Sequence, residues 1–163
     1  MTKKINIDAI DLVVYDFDGV MTDNRVLVLQ DGTEAVFANR ADGLGVNLIR
    51  KMGIAQLILS TETNPVVQAR AAKLGIEAIN GCADKRDALT EYYARHGIDM
   101  SRVVYIGNDT NDLEVMKAVG YPAAPADAHQ SVKAIACMVT RAKGGEGVVK
   151  EFAEILETSQ AEG

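Results

Sequence analysis

Asp16 and Asp18 stand one residue apart at the end of the apolar run Val13-Val14-Tyr15, with Gly19 directly behind them. The run reads as a buried strand, and the carboxylates fall just past its carboxyl end, where open α/β sheets place their ligands. Alternate residues of an extended chain point to one side, so the two carboxylates can converge on one small volume. Such a pair suits a hard cation such as Mg²⁺ and leaves Asp16 free to attack phosphorus. The same spacing also occurs in glycosyltransferases and in ordinary loops, so its meaning depends on what the rest of the chain supplies.

Three further segments supply candidates. The strand-like stretch Ile54 to Leu59 ends in Ser60-Thr61-Glu62; a hydroxyl there can donate to a phosphate oxygen, or cap the helix that starts near Pro65. Lys85 falls in the first turn of a helix running to about His96, where the helix dipole favours acids. A cation in that place either neutralises a phosphate or is simply solvated. The strand Arg102 to Ile106 runs straight into Gly107-Asn108-Asp109-Thr110-Asn111-Asp112. A helix beginning there gathers Asn108, Asp109 and Asp112 on one turn. Acids at a helix start are also plain caps, but two acidic clusters, each ending a strong strand, are both relieved by one cation between adjacent strands.

The elements that must position these residues follow from length and patterning. A chain of 163 residues with 48 % hydrophobic and 25 % charged residues is one globular domain with a real core. Its net charge of −6 argues against a nucleic-acid or anionic-membrane surface, so an anionic substrate must be met by local cations or a metal. The absence of a spanning apolar run or a signal-peptide core makes the cytoplasm the default location. Cys82 and Cys137 lack metal spacing and read as free thiols. After Gly19 the segments 25–30 and 34–38 flank Asp31-Gly32-Thr33, a hairpin signal, predicting a flap at about residues 20–40 over the Asp16 site or packed on the domain's own surface. Asp42 is expected to cap a helix with Leu44, Leu48, Ile49 and Met52 on its buried face, ending at Gly53. Short strands are expected at 76–79, 121–124 and 138–139, with His96 and His129 at helix ends. Val148 to Leu156 reads as a closing helix and residues 158–163 as a disordered tail, giving a single core over residues 1–157.

In this order the chain resembles the haloacid dehalogenase superfamily of phosphotransferases over nearly its whole length, on Asp16-Phe17-Asp18-Gly19, Ser60, Lys85 and the segment Gly107 to Asp112. The resemblance implies an α/β fold, a Rossmann-like three-layer α/β/α core with a mostly parallel sheet. It implies Mg²⁺, an aspartyl phosphate on Asp16, Asp18 as general acid and base, and Ser60 and Lys85 holding phosphoryl oxygens. The metal shell would draw on Asp16, Asp18, Asn108, Asp109 and Asp112. The family's usual aspartate is replaced by Asn108, whose amide oxygen can ligate but brings no charge, so Asp109 or Asp112 would carry more of the load.

A closer resemblance is to the small capless branch that dephosphorylates 2-keto-3-deoxy sugar acids. It rests on the flap, Arg40-Ala41-Asp42-Gly43-Leu44-Gly45, Asn64 through Arg70, Pro125 to His129 and Gly144-Gly145-Glu146-Gly147. It implies a homotetramer in which a neighbour closes the pocket, with Arg40, Asp42, Thr61, Glu62, Arg70 and Lys73 as substrate contacts. Ser60-Thr61-Glu62, with Lys73 eleven residues beyond Glu62, resembles the nine-carbon 9-phosphate phosphatases. The eight-carbon 3-deoxy-manno-octulosonate 8-phosphate phosphatases carry a Ser-Gly-Arg-like turn there. A third reading, a noncatalytic assembly module attached to a cytidylyltransferase, leaves Asp16, Asp18, Ser60 and Lys85 without a purpose.

Overall fold

The computed structural model describes residues 5–161. In chain order come β1 (Leu12–Tyr15), the hairpin strands β2 (Leu27–Val28) and β3 (Glu34–Ala35), α1 (Ala41–Lys51), β4 (Ala55–Leu59), α2 (Val66–Leu74), β5 (Glu77–Ile79) and α3 (Lys85–His96). They are followed by β6 (Val103–Ile106), α4 (Leu113–Ala118), β7 (Tyr121–Ala124), α5 (Gln130–Ile135), β8 (Met138–Val139) and α6 (Val148–Ala161). Six strands form one wholly parallel sheet in the order β5-β4-β1-β6-β7-β8. β1 and β6 are four-residue apolar runs buried at every position, as strands covered on both faces must be. Val13, Tyr15, Val104 and Ile106 face the core shared with α1, α2 and α6. Leu12, Val14, Val103 and Tyr105 face the one shared with α3, α4 and α5. The expected three-layer α/β/α architecture is therefore present, and the strand order reverses between β1 and β6, where a ligand crevice opens at the strands' carboxyl ends.

Between β1 and α1 no second domain intervenes, only the hairpin. Its turn is closed by Leu29 N–H donating to the Thr33 carbonyl at 2.8 Å and by Thr33 N–H donating to Asp31 Oδ1 at 2.9 Å. Among the described residues, no helix is long and apolar enough to cross a membrane.

Three local expectations are corrected. Asp42 does not cap α1: Asn39 Oδ1 accepts from Ala41 N–H at 2.9 Å, while Asp42 lies inside the first turn, 1 % exposed. The buried face of α1 is Asp42, Gly45, Val46 and Ile49, and Leu44 is 58 % exposed. The rotation has a packing cause. A Cβ on Gly45 would lie 2.6 Å from the Val149 carbonyl oxygen, so the glycine allows α1 and α6 to approach closely and turns its own side inward. The expected disordered tail is helical as far as Ala161, with Thr158 Oγ1 donating to the Glu154 carbonyl and Ser159 Oγ to the Ile155 carbonyl, each at 2.9 Å. These hydroxyls bond backward along the helix rather than compete with it; residues 162 and 163 lie outside the described residues.

Candidate active site

The crevice at the carboxyl ends of β1, β4 and β6 is lined by Asp16, Asp18, Ser60, Thr61, Glu62, Asn108 and Asp109, so three separate sequence signals meet in one place. After Tyr15 the backbone stays extended through Asp16, then makes one wide turn over Phe17–Met21 that closes with Thr22 N–H on the Phe17 carbonyl at 3.2 Å. Asp16 is held by Phe17 N–H donating to Oδ1 at 2.8 Å. The turn is braced from outside by Gly144 and Gly145. A Cβ on Gly144 would collide with the Gly19 carbonyl oxygen, and Gly145 N–H donates to the Val20 carbonyl at 3.1 Å.

Lys85 opens α3 yet is only 4 % exposed, because its ammonium is drawn inward. Nζ lies 2.8 Å from Asp16 Oδ1 and 2.7 Å from Asp112 Oδ1. Tyr105 donates its hydroxyl to the same Asp112 oxygen at 2.7 Å, and the N–H groups of Asn108 and Asp109 donate to Oδ2 at 2.9 and 3.3 Å. Two buried carboxylates thus share one ammonium. Burial first, and Asp112 second, push the Asp16 carboxyl up to about 8 against the pull of Lys85. Burial alone would lower the Lys85 ammonium, but Asp16 and Asp112 together reverse this and hold it above its ordinary value.

Asp18 is raised by burial, then by Glu62; Lys85 pulls it down in part and Glu34 adds a further rise. A carboxyl whose hold on its proton is strengthened is better suited to giving that proton to a reacting group than an ordinary surface carboxylate. Glu34, brought in from β3 by the flap, faces the same side of the crevice as Arg25, Glu62 and Asn64, and Asn64 Nδ2 donates to its Oε2 at 3.3 Å.

The metal-ligand expectation narrows. Turning the Asn108 amide half a turn would place its nitrogen 2.8 Å from Asp16 Oδ2 and 3.0 Å from the Asp18 carbonyl oxygen. As it stands, the amide oxygen faces those two acceptors alone. The two separations made by the amide oxygen match the edge of an octahedron, about 3.0 Å for Mg²⁺–oxygen bonds of about 2.1 Å. The donor set, a carboxylate, a backbone carbonyl and an amide oxygen, is all oxygen and fits a hard cation. It engages Asp18 through its backbone rather than its side chain. Asp112, expected in the shell, has both oxygens committed to Lys85, Tyr105 and backbone N–H groups. Asp109 lies on the crevice lining, with Oδ1 accepting from Thr110 N–H at 2.7 Å at the start of the turn that leads into α4.

Of the expected substrate contacts, Thr61 and Glu62 line the crevice and four residues do not. Arg40 and Lys73 border a separate open groove with Leu44. Asp42 is buried under α6, and Arg70 donates to the Asn39 carbonyl at 2.9 Å. The rotation of α1 about Gly45 accounts for Asp42. Ser60 does not cap α2; Asn64 Oδ1 accepts from Val66 N–H at 3.0 Å, which leaves the Ser60 hydroxyl at the crevice, accepting from Glu62 N–H at 3.1 Å. His96 closes α3, its Nδ1 2.9 Å from the Tyr92 carbonyl oxygen, and His129 caps α5.

Tyr105, Glu34 and Asn24 escaped the sequence reading. Tyr105 looks like any core aromatic of a buried strand, and Glu34 like any exposed flap acid. Asn24 takes a positive φ of 67° beside the crevice, a conformation asparagine tolerates better than most residues, and Asn-Arg in a loop does not announce it.

Comparison with known proteins points to one family. A family model described as haloacid dehalogenase-like hydrolase matches residues 56–152. The 3-deoxy-D-manno-octulosonate 8-phosphate phosphatase of Yersinia pestis is 35 % identical over 93 % of this chain and 81 % of its own. A solved structure of a HAD family hydrolase from Streptomyces avermitilis is 46 % identical, covers 95 % of both chains and superposes with a TM-score of 0.92. The 3-deoxy-D-manno-octulosonate 8-phosphate phosphatase of Moraxella catarrhalis, solved with magnesium ion, phosphate ion and KDO, is 30 % identical over 95 % of this chain and 90 % of its own, with a TM-score of 0.90. By fold, by the residues gathered at the crevice and by these matches, the chain belongs to the haloacid dehalogenase-like hydrolases.

Proposed function

We propose that the protein is a Mg²⁺-dependent phosphatase of 2-keto-3-deoxy sugar acid phosphates, with a nine-carbon 9-phosphate as the favoured substrate. The observation that carries the reading is the Asp16–Lys85–Asp112 arrangement beside the oxygen cluster of Asp16, Asp18 and Asn108. Magnesium, when bound, would be held by Asp16, the Asp18 carbonyl and Asn108, and would screen the repulsion between Asp16 and a phosphate dianion. Lys85, Ser60 and Thr61 hold the phosphoryl oxygens. Asp16 attacks phosphorus in line, forming its acyl phosphate as the phosphorus–oxygen bond to the sugar breaks. Asp18 gives its proton to the departing sugar oxygen. It then takes a proton from the water that attacks the acyl phosphate, releasing inorganic phosphate and restoring Asp16.

Glu62 supports the nine-carbon preference: with Glu34 it makes the wall next to Asp18 acidic, able to accept hydrogen bonds from sugar hydroxyls. Lys73, expected to pair with it, lies in a different groove of the same chain and would meet Glu62 only from a neighbour. A homotetramer is part of the proposal, supported by Leu27, Val28 and Phe37 on and beside the flap, which are 55 %, 60 % and 71 % exposed. A fully active monomer by light scattering would overturn it. The eight-carbon 8-phosphate is the second reading, favoured by the substrate for which the Yersinia pestis and Moraxella catarrhalis relatives are named.

The test is phosphate release from both acids side by side, with Mg²⁺ and with chelator, and with Asp16→Asn as control. Mg²⁺-dependent release that prefers the nine-carbon acid supports the whole proposal. A preference for the eight-carbon acid moves the substrate to the second reading. Silence on both from an intact oligomer rejects the sugar-acid reading in favour of an assembly module or another phosphate ester.

A further inference from the structure

Asn108 is fixed by its backbone and free in its side chain. Its N–H donates to Asp112 Oδ2 at 2.9 Å and its carbonyl accepts from His129 N–H at 2.8 Å, so both of its backbone polar groups are tied. The amide group packs against Gly19, where any side chain would collide with it. What remains is rotation about Cβ–Cγ, a torsion with two broad, nearly equivalent settings. In one setting the nitrogen donates to Asp16 Oδ2 at 2.8 Å and to the Asp18 carbonyl at 3.0 Å; in the other the oxygen points at those acceptors and the nitrogen at donors only. The two settings occupy the same volume.

We infer that the Asn108 amide is a two-position switch, nitrogen inward in the metal-free protein and oxygen inward when a divalent cation binds between it, Asp16 and Asp18. This rests on the metal reading proposed above and deepens it. In the metal-free state the inward nitrogen satisfies two oxygens that otherwise face a third. A carboxylate at this position has no such setting, since it only accepts. It would also bring another negative charge to a cluster where Asp16 and Asp112 already share the single ammonium of Lys85. The switch has a cost on the other side. A cation must displace two hydrogen bonds and leave the amide nitrogen facing donors, so it binds less tightly than to a carboxylate. Asn108 therefore exchanges metal affinity for a metal-free protein that keeps the crevice in shape.

Two measurements test this without reference to turnover. In the first, thermal unfolding and Mg²⁺ titration calorimetry compare the native protein with Asn108→Asp, both stripped with chelator. The metal-free Asn108→Asp protein is expected to melt about 5 °C lower or more, for the loss of two hydrogen bonds and the added repulsion. It is expected to bind Mg²⁺ about tenfold more tightly or more. In the second, which does not depend on the variant folding, the Asn108 side-chain amide signals are followed by ¹⁵N-resolved NMR as Mg²⁺ is added to the native protein. They are expected to be hydrogen-bonded in the metal-free state and to move with saturation. Equal Mg²⁺ affinity and equal metal-free melting in both proteins would overturn the switch, as would Asn108 amide signals that stay still while neighbouring site signals move. If Mg²⁺ changes neither melting nor any site signal in either protein, the metal reading itself fails and the switch with it.

Discussion

Tyr105 and Asp112 are joined by a 2.7 Å hydrogen bond inside the core, on the same carboxylate oxygen that holds Lys85 at 2.7 Å. The phenol comes from the middle of a strand buried at every position, so the sheet itself sets where the ammonium rests. Burial first and the Asp112 charge second hold the Tyr105 hydroxyl well above its ordinary value, which keeps it a donor throughout the working range. Tyr105→Phe leaves a buried carboxylate one donor short. It should cost about 1–3 kcal/mol in chemical denaturation and lower the rate of phosphate release while the chain stays folded.

Lys85→Met should be far more severe. It leaves Asp16 and Asp112, both buried, without their shared cation. Breaking such a pair costs about 3–5 kcal/mol, and loss of the positive charge should lower phosphate release by about 10²-fold or more. Denaturant unfolding and a phosphate assay on the folded fraction check the two effects separately.

Asp16→Asn should separate stability from activity. One ammonium serves two buried carboxylates, and removing one leaves a matched pair. The metal-free variant should therefore melt at or above the native temperature at pH 8 while releasing no phosphate. Melting well below the native protein would count against the charge accounting.

Asp42 predicts a pH dependence distinct from the crevice. It is 1 % exposed, neither oxygen has a hydrogen bond of good geometry, and burial lifts it to about 6 against the partial pull of the Lys150 and Val149 N–H groups and Arg70. A carboxyl whose folded value lies above its unfolded value of about 3.9 binds more protons folded than unfolded between those values. Stability from this group therefore falls as pH rises from about 4 to 6 and is level above. In metal-free melting curves, the difference between the native protein and Asp42→Asn should change across that window and flatten by pH 7. The exposed carboxylates Asp11 and Asp99 are held below their ordinary value, Asp11 by its hydrogen bond from Arg102 and Asp99 by Ser101 N–H, so their contribution has the opposite sign and is lost as pH falls.

Gly144→Ala should loosen the crevice from behind. Its added methyl has only the Gly19 and Thr22 carbonyls to meet, and backbone cannot step aside as a flexible side chain would. A loss of about 1–3 kcal/mol is expected, with reduced phosphate release, because the displaced turn carries Asp16 and Asp18. Unchanged melting would mean that the loop is not packed on the turn as described.

The sequence alone determined that Asp16, Ser60 and Asn108 would meet, with Lys85 beside them. Each follows or opens an element whose apolar run is unmistakable, and parallel strands end on one edge, so residues just past their carboxyl ends are neighbours whatever the loops do. The hairpin was legible for a similar reason, since Asp31-Gly32-Thr33 is local turn chemistry. Tertiary structure decided which atoms point inward. The Asp18 carbonyl rather than its carboxylate joins the oxygen cluster because the chain leaves the strand into a wide turn. Asp112 faces Lys85 and Tyr105 rather than the open crevice because the β6–α4 turn folds its backbone N–H groups onto the carboxylate. The face of α1 depended on a helix far along the chain, through the space that Gly45 leaves for Val149. Periodicity reports that a helix has a buried side; which side is buried is set by the partner that packs against it.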